Sequence, residues 1–122
     1  MQKLLVVDDS EDLLFAMQTL LEQYDFEVRT ATNEASFLKE ATLFKPAIII
    51  MDVLLNGENG RDICKSFREN PDNENVALIL FSASANNLKN FEECGADGII
   101  EKPFGIKELI KKIETILQFR KK

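Results

Sequence analysis

Histidine is absent from the 122 residues, so the chain cannot itself carry a phosphohistidine. Cysteine occurs only twice, at Cys64 and Cys94, far apart and each inside a helical pattern. That spacing argues against a disulfide framework, fits a reducing compartment, and reads as two small buried hydrophobes. Basic residues are the minority, 15 Lys and Arg against 21 Asp and Glu, for a net charge of -6. This balance disfavours nucleic-acid binding by the domain itself, which needs clustered cations on phosphates, and suits a domain that binds a cation. Long apolar runs are missing too. The one near the N-terminus, residues 4–7, is too short for a signal peptide or a membrane span, so the expected location is the cytoplasm. No repeat, low-complexity tract or linker interrupts the sequence. With 45% hydrophobic and 30% charged residues, residues 1–122 read as a single globular domain.

What is present is a regular alternation. Residues 4–7 are apolar and end in Asp8, Asp9 and Ser10; Leu13, Leu14, Met17, Leu20, Leu21 and Tyr24 then follow at helical spacing. Ser10 is the predicted N-cap, with Glu11 and Asp12 in the first turn, where the helix dipole favours acids. Phe26, Val28 and Thr30 alternate with polar residues as a second strand. Asn33 caps a second helix expected to turn Ala35, Leu38 and Ala41 to the core and to end near Pro46. Residues 47–51 form an unbroken apolar run, as in a strand covered on both faces, and end in Asp52. A loop with Asn56, Gly57, Asn59 and Gly60 leads to a third helix through Ile63, Cys64 and Phe67. Residues 76–81 are another buried strand, ending in Ser82. A short helix through Leu88 and Phe91 is expected to close at Gly95. Residues 98–101 give the last strand, followed by Lys102 and Pro103. Ile106, Leu109, Ile110, Ile113, Ile116 and Leu117 stripe the final helix.

Five alternations of strand and helix predict an α/β, flavodoxin-like, doubly wound sheet. Its five parallel strands take the order 2-1-3-4-5, with helices on both faces. Ligands in such sheets bind beyond the carboxyl ends of the strands, near the switch point between the first and third. The residues leaving strands one, three, four and five are Asp8 with Asp9, Asp52, Ser82 and Lys102. Two like charges roughly 4 Å apart repel by about 1 kcal/mol in water and about 4 kcal/mol at an intermediate dielectric. Three clustered carboxylates therefore call for a hard divalent cation, and Mg²⁺ takes one or two carboxylates together with waters and phosphate oxygens. With Lys102 as a second positive centre and Ser82 as a hydroxyl donor, the set describes a phosphoryl-transfer pocket with a carboxylate nucleophile. Taken singly, each residue has a plainer reading: helix N-terminal acids, a turn aspartate, a cap serine, an exposed loop lysine. Their joint fall on one sheet edge favours the site.

Along nearly its full length the chain resembles the receiver domain of two-component response regulators. The matching pieces are VVDDS at 6–10, IIMD at 49–52 with NG at 59–60, LFSA at 80–83, and GAD followed by EKPF within 95–104. The resemblance implies that Asp52 accepts phosphate and that Asp9 and Asp52 bind Mg²⁺ directly. It further implies that Asp8 acts partly through water and that the backbone carbonyl of Leu54 completes the protein ligands. Ser82 and Lys102 would each meet a phosphoryl oxygen, and Lys102 and Pro103 would be joined by a cis peptide. The implied donor is a partner histidine kinase, a histidine phosphotransfer protein or a small phosphodonor. The domain would be a phospho-acceptor that assists its own phosphorylation and dephosphorylation rather than an enzyme acting on a separate substrate. Its output partner or attached domain is not written in the sequence, and a free-standing receiver and one excised from a larger regulator or hybrid kinase both fit. Two departures stand out: Asn56, where the family usually has proline, and Ile99, where many receivers carry an aromatic residue that swings inward on switching.

Two rivals use related chemistry or the same fold. A haloacid-dehalogenase-like, Mg²⁺-dependent aspartyl-phosphate phosphatase places its nucleophile in a DxD motif after the first strand. Here the acids after that strand are adjacent and the candidate nucleophile follows the third. A flavin or nucleotide carrier would need a glycine-rich phosphate loop after the first strand, where this chain places acids that repel phosphate.

Overall fold

The computed structural model describes residues 1–120. Its main sheet contains β1 (Gln2–Val7), β2 (Phe26–Ala31), β3 (Ile48–Asp52), β6 (Ala77–Ser82) and β7 (Gly98–Glu101). They lie in the order β2-β1-β3-β6-β7, all pairs parallel, which is the expected 2-1-3-4-5 pattern. Between β3 and β6 a two-stranded antiparallel ribbon, β4 (Leu54–Leu55) and β5 (Glu58–Asn59), occupies the predicted loop. Its two-residue turn is Asn56-Gly57, with φ of 44° and 93°. Asn and Gly tolerate these left-handed angles, and the pair is the common hairpin dipeptide.

The α-helices are α1 (Glu11–Glu22), α2 (Glu34–Phe44), α3 (Gly60–Glu69) and α4 (Ile106–Arg120). Ser10 caps α1 by accepting from the Leu13 N–H, and Asn33 and Ser36 form a reciprocal capping box on α2. One face of the sheet is covered by α1 and α4 through Leu14, Met17, Leu21, Leu109, Ile113 and Ile116. The other is covered by α2 and α3 through Phe37, Ile63, Cys64 and Phe67. Because both faces are covered, the five residues of β3 are all buried, as its unbroken apolar run predicts. Each of its four apolar side chains, Ile48 to Met51, contributes about 1.5–3 kcal/mol on leaving water. The end of β3 that holds Asp52 is thus anchored by a fully buried strand.

Two expectations are corrected. In α2 the core face is built by Phe37 and Phe44, while Ala35 and Leu38 face solvent and Ala41 is half-buried. The phenylalanines are seven residues apart and so share a face, and Phe37 meets the Phe67 ring of α3 at 5.3 Å between centroids. The aromatic pair removes more apolar area from water than the small residues do. The second correction concerns the segment between β6 and β7. In place of one helix through Leu88 and Phe91 there are two 3₁₀ turns, Ala85–Leu88 and Phe91–Cys94, separated by Asn90 in the left-handed conformation. Asn86, Asn87 and Asn90 favour local side-chain bonding over a continuous helix. The Arg61 guanidinium also takes up the carbonyls of Asn87, Lys89 and Asn90. Gly95 closes the segment at φ 92°, as expected of a C-terminal glycine.

Candidate functional site

The carboxyl ends of β1, β3 and β7 bring Asp8, Asp52 and Lys102 into direct contact. Lys102 Nζ donates to Asp8 Oδ2 at 3.0 Å and to Asp52 Oδ2 at 3.1 Å. The remaining oxygen of each acid is held by backbone: the Ser10 N–H donates to Asp8 Oδ1 at 2.7 Å and the Leu54 N–H to Asp52 Oδ1 at 3.2 Å. Asp8 and Asp52 are buried, 1% and 6% exposed, while Asp9 is open to solvent. Burial pushes the Asp8 carboxyl above the usual carboxylate range, against the lowering pull of the Ser10 N–H and Lys102. Burial also disfavours the charged form of Lys102, but its bonds to Asp8 and Asp52 outweigh this and raise its ammonium above the ordinary lysine value. Lys102 further lies 4.5 Å from the centroid of the Phe81 ring. The Lys102–Pro103 peptide is cis, in agreement with the expectation.

One carboxylate oxygen from each of Asp8, Asp9 and Asp52 lies within 4.8 Å of the others. Three acids against one lysine leave an excess of negative charge. The donor set is all oxygen, which fits a hard divalent cation such as Mg²⁺ and not a soft metal. The exposed side chain of Asp9 opens this cluster to solvent, and beyond it a groove is lined by Glu11, Asp12, Asn33 and Asn56.

Ser82 leaves β6 one residue beyond Phe81, the register partner of Asp52. Its hydroxyl is buried and accepts from the Ser84 N–H at 3.1 Å and from Asn87 Nδ2 at 3.4 Å. With both acceptor positions filled, its proton is the part left to donate. The Lys102 N–H donates to the Ser82 carbonyl at 2.8 Å, tying the β6 and β7 ends together. Leu54, two residues beyond Asp52, starts the small ribbon and is 58% exposed.

Three contributors have no sequence signal that names their partners. Asn87 holds the Ser82 hydroxyl, and Arg61 spans from the start of α3 to the β6–β7 connection. The third is Gly60, whose N–H donates to the Val53 carbonyl at 2.7 Å. A Cβ at Gly60 would collide with the backbone carbonyl of Asp52 itself. Gly60→Ala is therefore expected to displace the Asp52 backbone and to lower stability by about 1–3 kcal/mol, the usual cost of overpacking. Chemical denaturation checks this, and an unchanged midpoint would show that the close approach has room to spare.

The profile of the response regulator receiver domain matches residues 4–114. The chain is 31% identical to the alkaline phosphatase synthesis transcriptional regulatory protein PhoP of Bacillus subtilis, covering 96% of this chain and 49% of that protein. It is likewise 31% identical to histidine kinase P4 of Formosa agariphila, covering 96% of this chain and 9% of that protein. The chain thus spans half or less of the length of these relatives. Among solved structures, the chemotaxis response regulator CheY4 of Vibrio cholerae superposes with a TM-score of 0.88 at 26% identity, over 96% of this chain and 99% of that one. The chain belongs to the response regulator receiver domain family, the phospho-accepting domains of two-component signalling. Among the described residues, no helix is long and apolar enough to cross a membrane.

Proposed function

We propose that residues 1–122 act as one receiver unit in which Asp52 is the phosphoryl acceptor, fed by a histidine kinase or phosphotransfer protein in the cytoplasm. The observation that supports this best is the shared lysine: Lys102 contacts both Asp8 and Asp52, and it marks Asp52 as an acid beside a fixed positive charge. A carboxylate oxygen of Asp52 attacks phosphorus in line, the bond from phosphorus to the donor's nitrogen or oxygen breaks, and an acyl phosphate forms. Lys102 moves its hydrogen bond from the acid to a phosphoryl oxygen. Ser82, which accepts from Ser84 and Asn87, donates its remaining proton to another. Asp9, Asp52, the Leu54 carbonyl and, partly through water, Asp8 would hold Mg²⁺, which when bound neutralises charge on the transferring group. The domain assists its own modification and holds no second substrate.

The test is incubation of the chain with a small acyl phosphate and Mg²⁺, read by intact mass. One added phosphate is expected, and none in excess chelator. Full modification without divalent cation would contradict the role given to the acid cluster.

Phosphate draws the Ser82 hydroxyl inward and with it the bonded Asn87, so the segment held by Arg61 is the part that rearranges, and it presents the partner-binding face. Ile99 is half-buried against the α2–α3 side of the core and has no ring to swing, so the change relies on loop displacement.

The lifetime of phospho-Asp52 depends on whether water is positioned in line with the acyl phosphate. In the resembling family the flanking positions are those of Leu54, which offers no donor or acceptor, and Ser84, whose stem is short. A long-lived phosphate is expected. Leu54→Asn and Ser84→Glu should each speed phosphate loss in Mg²⁺ by up to about tenfold, the worth of one well-placed hydrogen bond of about 1.4 kcal/mol. Decay rates unchanged in both variants would remove water positioning as the limiting factor.

A further inference from the structure

Cys64 and Cys94 are separated by 30 residues in sequence, yet the fold sets them side by side. Cys64, on the buried face of α3, donates from Sγ to the Cys94 carbonyl at 3.2 Å. Cys94, in the second 3₁₀ turn, donates from Sγ to the Phe91 carbonyl at 3.2 Å. The two side chains are neighbours, and the interaction between them splits their acidities. It is the largest influence holding Cys94 below the ordinary thiol range, helped by the Ala96 N–H and Arg61, and the largest pushing Cys64 up. Both are free thiols and buried, Cys64 completely. Two isolated apolar cysteines would pack as well anywhere in the core. Mutual contact with one sulfur favoured as thiolate is the arrangement of an attacking and a resolving thiol.

The supports differ as well. Cys64 is fixed on an α-helix, whereas Cys94 rides on a short 3₁₀ turn flanked by the exposed Glu92 and Glu93. Such turns have poorer hydrogen-bond geometry and open more readily than the core. Cys94 is thus the thiol that a small oxidant reaches first.

We propose that Cys64 and Cys94 are an oxidative modification site, closing to an intramolecular disulfide that ties α3 to the β6–β7 connection when the chain meets a hydroperoxide. The Cys94 thiolate attacks the O–O bond of hydrogen peroxide, giving a sulfenic acid and, after protonation of the departing hydroxide, one water. The Cys64 sulfur then attacks the Cys94 sulfur, hydroxide leaves and takes the Cys64 proton as a second water, and the disulfide remains. Two thiols are oxidised and one peroxide is reduced to two waters. This site does not depend on the phosphoryl-transfer reading, and neither outcome below bears on that reading.

The test treats the full chain with hydrogen peroxide, quenches, denatures, alkylates and measures intact mass. The expected product is a monomer lighter by about 2 mass units, with no alkylated thiol, that regains both thiols on reduction. In Cys64→Ser, which keeps a hydroxyl beside Cys94, Cys94 should accumulate a sulfenic acid trapped by dimedone. In Cys94→Ala, Cys64 should stay unmodified at the same dose. A wild-type monomer that keeps two alkylatable thiols, or that gains oxygen atoms without closing, overturns the proposal. Because the decisive reading is on the unaltered chain, a variant that fails to fold does not blunt it.

Discussion

Alanine at position 52 is expected to abolish phosphoryl uptake, lowering the rate by about 10³-fold or more, the scale on which loss of an activated nucleophile is felt. The three clustered acids are not equivalent. Asp8 is sealed in, bonded to the Ser10 N–H and Lys102, and burial pushes its carboxyl above the usual range. Asp9 is exposed and lies outside the contacts of Lys102, so nothing aims it at the incoming phosphorus. Asp52 shares with Asp8 a backbone N–H on one oxygen and Lys102 on the other, but it is less deeply sealed and ends a fully buried strand. Removing one of three like charges relieves repulsion, so Asp52→Ala should remain folded and its loss of uptake will report chemistry. Circular dichroism checks the fold and intact mass checks the uptake. A variant that still acquires one phosphate at the wild-type rate would transfer the acceptor role to another residue.

Lys102→Met should separate charge pairing from metal binding. The side chain of Lys102 is mostly buried and meets two acids, so methionine keeps the length and packing of the stem but leaves no cation for the transferred oxygens. Loss of one preorganised electrostatic contact typically slows the chemical step by about 10²- to 10³-fold, and a loss of that size is expected in phosphorylation rate. Mg²⁺ binding should persist or tighten, because the acids remain and their internal competitor is gone. Titration of Mg²⁺ by calorimetry beside a phosphorylation time course gives both readings. Weakened Mg²⁺ binding with an unchanged rate would reverse the roles assigned here.

The strand ends are legible because parallel strands covered on both faces read as apolar runs, and Asp8, Asp52 and Ser82 each follow one, while Lys102 follows the short strand 98–101. Element order and the sheet topology follow from the same pattern with right-handed crossovers. The phase of α2 was not legible from Ala35, Leu38 and Ala41. That three-residue stripe competes with Phe37 and Phe44, and the choice is made across space by Phe67. The segment at 85–94 departs from its sequence pattern for a related reason. Leu88 and Phe91 have helical spacing, but Arg61, more than two dozen residues earlier, binds the carbonyls that a helix would need. The same non-local contact through α3 brings Cys64 to Cys94, which in sequence are two unconnected residues.

The most direct measurement of the central claim is the location of the phosphate. The chain is phosphorylated in Mg²⁺ with a small acyl phosphate, the acyl phosphate is reduced with borohydride to leave a homoserine at the modified position, and the digested peptides are sequenced by mass spectrometry. The account predicts homoserine at position 52 and nowhere else. Homoserine at position 8 or 9, or phosphate retained on Ser82 after borohydride treatment, would contradict it.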